Sequence, residues 1–285
     1  MKKESIALLI SILLFYSLQS PAKGKIRIGL KPAVSASYFS GGELNRGLQG
    51  WSDIWKTYLQ NEGYTNYKGG YVPLNINYGY GLDILVEFNR RISVSFGSGL
   101  LYSKKSSDLS FETENGLDKF TWNPELKIIP ITLSLNYYPV SKKTFKLYIF
   151  FGPDYYIANY FDKQHIAYLN GIDEEYKLKS RSFGAHGGIG VEFLIAKNIG
   201  LFLEGSANYA IFNSLKGSVK QTWANNSANI NGDLWYCEIN AFGSGPFPII
   251  TVEESMPESP DLINVRQAKL NLNSPKLKLG FIFHF

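Results

Sequence analysis

The sequence predicts an all-β fold: a closed antiparallel up-and-down transmembrane β-barrel of about eight strands with long external loops. Three observations carry that expectation. In the last ten residues Leu277, Leu279, Phe281, Phe283 and Phe285 share one face, and Lys276, Lys278, Gly280 and His284 the other. Similar alternation recurs along the whole chain, while no apolar run beyond the N-terminus is long enough for a membrane-spanning helix. Short turns also alternate with long connections, the asymmetry of strands that return across a bilayer.

The N-terminus reads as an export signal. Met1-Lys2-Lys3-Glu4-Ser5 precedes an uncharged run, residues 6–16, and Ser20-Pro21-Ala22 offers small residues for cleavage. The expected division is residues 1–22 as signal peptide and 23–285 as one barrel domain. Cys237 is the single cysteine, so no intramolecular disulfide forms in an oxidising compartment. The formal charge is +5; losing Lys2, Lys3 and Glu4 leaves +4. Lys and Arg are scattered rather than clustered, which excludes a nucleic-acid partner and leaves mild attraction to anionic headgroups.

The first strand is expected over residues 25–39, with Ile26, Ile28, Leu30, Val34 and Ala36 opposite Arg27, Gly29, Lys31, Ser35 and Ser37. Residues 40–72 form a long connection in which Trp51, Ile54, Trp55, Tyr58 and Leu59 recur at helical spacing, with Ser52 as cap and Gly63 as stop. That helix is expected to cover the barrel mouth, because Trp and Tyr favour half-wet sites. The second strand, residues 73–88, sets Leu74, Ile76, Tyr78, Tyr80, Leu82, Ile84, Val86 and Phe88 against Asn75, Asn77, Gly79, Gly81, Asp83 and Glu87. It forms a hairpin with the third, residues 92–111, through Asn89-Arg90-Arg91.

After a turn signal at Glu114-Asn115-Gly116, strands follow over residues 117–138, 144–160, 176–195 and from 199 onward. The turns at 139–143 and 196–198 are short, and the connection 161–175 is polar. Residues 213–264 hold an expected external hairpin, 234–242 and 247–252, in preference to two further staves. The closing strand covers 265–285, with Pro275 as a candidate interruption.

In a bilayer each backbone polar group must be paired, so the sheet closes, with apolar faces toward lipid and Gly, Ser, Asn and acidic faces inward. Eight strands leave a lumen just wide enough for side chains. Glu87, Glu192, Glu204, Asp83, Arg27 and Lys278 are therefore expected to form an interior ion-pair network. His165, His186 and His284 make no metal motif, and the residue two beyond His186 is Gly188 rather than Ser. No catalytic, cofactor-binding or metal residue is expected, and no cofactor. Tyr38, Tyr78, Tyr80, Tyr102, Tyr137, Tyr155 and Tyr209 face outward as a headgroup belt. Trp51, Trp55, Trp122, Trp223 and Trp235 are expected to pack loops.

With its strands placed, the chain resembles the small bacterial outer-membrane β-barrel family that includes OmpA-, OmpX- and OmpW-type proteins. The resemblance covers residues 26–285 and rests on the signal, Ile129-Pro130-Ile131, Gly188 to Phe193, Phe202-Leu203-Glu204-Gly205 and the terminal Phe285. It implies location in the bacterial outer membrane, contact with its lipids and lipopolysaccharide, and delivery by the barrel-assembly machinery through the strand ending at Phe285. A monomer is expected. Long, aromatic-rich loops on a filled lumen lead to the expectation of a non-enzymatic function: a structural or surface-binding role through long extracellular loops, with at most a narrow pore. The alternatives are an OmpW-like conduit for small apolar molecules, with Phe150, Leu194 and Phe202 inward, and a membrane-embedded lipid hydrolase.

Overall fold

The computed structural model describes residues 26–113, 116–166, 171–224 and 226–285. The expected signal peptide and cleavage site, and the turn residues Glu114 and Asn115, lie outside them. The strands are β1 (Arg27–Tyr38), β2 (Lys68–Gly69), β3 (Ile76–Glu87), β4 (Ile92–Lys104), β5 (Ser107–Thr113), β6 (Gly116–Trp122), β7 (Glu125–Ser141) and β8 (Phe145–Ile166). They continue as β9 (Ile172–Ala196), β10 (Ile199–Phe212), β11 (Lys216–Trp223), β12 (Asn226–Asn240), β13 (Pro246–Glu253), β14 (Leu262–Gln267), β15 (Leu270–Asn271) and β16 (Ser274–His284). Helix α1 (Gly42–Asn61) lies between β1 and β2.

Eight of these strands form a ring. In order, β1, β3, β4, β7, β8, β9, β10 and β16 each pair antiparallel with the next. β16 then returns to β1, with Gly29 opposite His284 and Ser37 opposite Lys276. The register follows from parity, since a slip of one residue would turn a lysine or glutamate toward lipid. Val34, Tyr80, Ile84, Phe96, Leu133, Ile149, Phe151, Ile189, Leu203, Leu279 and Phe281 are exposed, while Lys31, Asp83, Glu87, Asp154, Glu192 and Glu204 are buried. That inside-out distribution is the one a bilayer requires.

Pro275 does not interrupt the last strand: it stands opposite Ala207, with Lys276 opposite Ser206 in unbroken register. Proline at the end of a strand forfeits little of the ladder. Pro130 matters more, because the β4–β7 pairing lacks partners between Ser98↔Ile131 and Leu101↔Ile128.

β8 and β9 have 22 and 25 residues, about twice what crosses a bilayer. Their outer halves rise beyond the ring and recruit further strands. β6 pairs with the end of β8 through Phe120↔Ile166, then β5 with β6 and β2 with β5. On the other side β11 pairs with the start of β9, Lys216↔Lys179 to Trp223↔Ile172, followed by β12 and β13. The polar connection expected at 161–175 is thus largely strand, and the expected 234–242/247–252 hairpin is the β12–β13 pair, outside the ring.

Helix α1 sits between the two arms. It begins at Gly42, well before Trp51 where the helical spacing becomes visible, and Ser52 is not its cap: Gly41 precedes the helix with φ 69° and offers no side chain. Ser52 is buried mid-helix, and its Oγ accepts the Tyr71 N–H at 3.0 Å. The early turns escape a propensity reading because they contain Gly42, Gly47 and Gly50, each unfavourable in isolation. Packing explains two of them. A Cβ on Gly47 would lie 2.4 Å from Ile250 Cγ2, and one on Gly50 only 1.6 Å from the Pro248 carbonyl oxygen. The helix stops as expected, at Gly63 with φ 84°.

One apolar cluster fills the space between helix and arms: Leu44, Leu48 and Leu59 of α1 meet Phe120, Trp122, Tyr160, Leu178, Tyr236, Ile250 and others. Trp55 stacks on Phe120 at 4.6 Å, Trp51 donates to the Ile250 carbonyl, and Trp235 donates to that of Glu253. Leu74, expected on the lipid face, belongs instead to this cluster. It precedes β3, where the chain leaves the headpiece and strand parity does not yet apply.

Candidate functional site: the barrel lumen

Three layers of polar side chains occupy the lumen beneath the headpiece. Nearest the short turns, Lys146 on β8 reaches Glu87 at 2.8 Å and Glu192 at 3.4 Å, and His284 Nε2 lies 2.9 Å from Glu192. Tyr138 and Tyr148 pack against each other here. Glu87, Glu192 and His284 present atoms within 4.8 Å of one another, a spacing open to a metal ion. The Lys146 ammonium already supplies the positive charge between the two carboxylates, so the cluster closes as an ion-pair network.

The middle layer joins Lys31 to Glu204 at 2.5 Å, with the Tyr148 hydroxyl donating to the same carboxylate at 2.8 Å. Lys278 pairs with Asp83 and lies 3.8 Å from the second Glu204 oxygen. Lys31 also stands over the Phe202 ring, 4.3 Å from its centroid, an attraction that burial strengthens. The expected network therefore forms, with one correction. Arg27 is exposed at the rim and makes no ion pair among the described residues, although it stands opposite Glu87 across β1 and β3. Lys146 reaches Glu87 instead, from the start of β8.

In the third layer the Ser134 hydroxyl lies 2.8 Å from His186 Nε2, and His186 Nδ1 2.6 Å from Asp154 Oδ1. Tyr156 donates to the other Asp154 oxygen at 2.7 Å. Ser, His and Asp in this order are the relay that activates a serine nucleophile. The expectation of no serine beside His186 holds along the chain but not in space, because Ser134 comes from β7 while the acid comes from β8. A second requirement fails. The adjoining cavity measures about 40 Å³, room for a water but not for an acyl substrate. Lys276 and Lys278 line the same cavity.

His165 lies apart, near the outer end of β8, with Nδ1 2.8 Å from exposed Asp173. Phe150 and Phe202 do point inward, as expected, and are buried among the charged layers. No apolar conduit connects them among the described residues. The gap in pairing at Pro130 opens on a cavity of about 40 Å³ that Asp83, Lys276 and Lys278 also line, so it is neither wide nor greasy.

Above the lumen, the headpiece buries an acid that is held by neutral donors. Asp162 accepts hydrogen bonds from Tyr160, Gln164 and the Asn123 N–H. Burial raises its carboxyl from 3.8 to about 6 against the pull of those donors, and the Glu174 charge adds to the rise. Cys237, also buried, has its thiol pushed up to about 11 by desolvation.

The ring, its apolar outer band and its charged interior are those of a membrane-spanning barrel. The chain belongs to the outer membrane protein β-barrel domain family, whose model matches residues 19–216. No match is found among curated proteins. Solved structures similar to it include a major outer membrane protein from Thermus thermophilus, at 11% identity and TM-score 0.45, covering 92% of this chain and 100% of that one. Ail, the attachment invasion locus protein of Yersinia pestis, in complex with the heparin analogue sucrose octasulfate, gives 11% identity, TM-score 0.37 and the same coverage. The outer membrane protease OmpT from Escherichia coli gives 12% identity and TM-score 0.43, with 93% and 98% covered. At such values these likenesses carry no inference about activity.

Proposed function

We propose that this outer-membrane barrel is sealed and non-enzymatic, and that it holds a rigid extracellular headpiece whose outer surface binds a partner or shields the membrane. The observation that carries this reading is the stack of ion-paired layers across the lumen, closed above by α1 and its apolar cluster. The first two layers bond charged groups from non-adjacent strands of the ring, so opening a path there would unpair buried charges. Liposome swelling tests the seal: vesicles carrying the mature protein should swell no faster in small sugars than empty ones. Swelling that rises with protein content would refute it.

One observation favours a second reading, a hydrolase: the Ser134–His186–Asp154 relay. A fluorophosphonate probe distinguishes the two. A sealed lumen leaves Ser134 unlabelled in the folded protein, whereas labelling that disappears with Ser134→Ala and with His186→Ala would establish a reactive serine.

A further inference from the structure

At the short-turn end the lumen opens into a cavity of about 970 Å³. Six cations line it, Arg27, Arg90, Lys142, Lys143, Lys146 and Lys197, against one carboxylate, Glu87. Lys146 is held by Glu87 and Glu192. The other five make no ion pair among the described residues. They come from separate places in the chain: the first residue of β1, the β3–β4 turn, the β7–β8 turn and the β9–β10 turn. Closure of the ring brings them to one rim. Beneath them the Lys146–Glu87 and Glu192–His284 pairs form a floor, so the cavity is a dead end.

We propose that this vestibule binds a compact, water-soluble anion bearing two or more phosphate groups. Five unneutralised cations around a concavity with low-dielectric walls focus a positive potential, since Glu87, the one carboxylate on the lining, is taken up by Lys146. The volume suits a small molecule, and the Ser141 and Thr144 hydroxyls on the same wall supply further donors. Phosphate groups could also arrive on a lipid. The soluble source is favoured because Arg27 and Glu87 belong to the inward faces of their strands and the cavity lies on the bore, where acyl chains would have to enter water.

The test is calorimetric titration of pyrophosphate into the mature protein in nanodiscs of zwitterionic lipid. One anion per chain is expected to bind, with affinity falling steeply as NaCl rises from about 50 to about 500 mM. Lys142→Gln/Lys143→Gln is expected to weaken binding about tenfold or more, the loss of charge-assisted bonds. Lys68→Gln/Lys119→Gln on the headpiece should leave it unchanged. Absence of saturable binding, or equal weakening by both pairs, overturns the proposal. A third arm uses nanodiscs containing phosphatidylglycerol. Retained pyrophosphate binding supports a soluble ligand; its abolition by the anionic lipid assigns the rim to headgroups and overturns it.

Discussion

Lys31 and Glu204 illustrate what a single buried charge does in this lumen. Each is almost free of solvent, and they meet at 2.5 Å with Tyr148 completing the set. Lys31→Met leaves Glu204 with Tyr148 and the more distant Lys278, so stability should fall by about 3 kcal/mol. Glu204→Leu added to it should restore most of that loss, since the unpaired charge has gone. Urea midpoints of the heat-modifiable band on gels would show both. Asp162 acts in the opposite sense, because its partners cannot fully offset burial. Its folded carboxyl holds a proton up to about pH 6 while the unfolded one releases it near 3.8. The folded state therefore binds more protons in that window, and stability declines as pH rises through it. The loss is on the order of 3 kcal/mol and is complete above about pH 6. Buried Cys237 reports it: maleimide labelling in the absence of denaturant should be slower at about pH 5 than at about pH 7, after correction for thiolate fraction.

At the scale of elements, the docking of α1 on β13 depends on the absence of side chains at Gly47 and Gly50. Gly50→Ala drives a methyl into the Pro248 carbonyl, and the expected cost is about 2 kcal/mol, taken by the headpiece alone. Cys237 labelling should accelerate while the barrel's heat-modifiability stays unchanged. The same glycines show why the helix start was illegible: in sequence they weaken a helix, and only the neighbouring strand reveals their use. Barrel strands, by contrast, were readable wherever one face met lipid, because period-two alternation and register are then the same constraint. The β7–β8 pairing sets Thr132 opposite Asp154, and Ser134 lies two residues along its strand, diagonal to the acid. His186 was beyond reach, since it enters through the connection after β8, whose length says nothing about register. The outer ends of β8 and β9, residues 161–166 and 172–175, resemble a polar loop in sequence for a related reason: outside the bilayer both faces carry polar residues, and the alternation fades.

For the whole molecule, two solvents divide the chain. Within the bilayer, polarity is reversed and the interior is held by ions and hydrogen bonds. Beyond it, the continuing strands fold around an ordinary apolar core that includes Leu44, Phe120, Leu178 and Ile250. That change at the membrane plane makes the headpiece a lid anchored on strands, and the barrel its support. The central claim is that nothing passes between the two. Single-channel recording in planar bilayers tests it most directly. The mature protein, inserted and verified by its heat-modifiable band, should give no steady open-channel current. Sustained, voltage-independent steps of uniform size, abolished when the protein is omitted, would contradict the account.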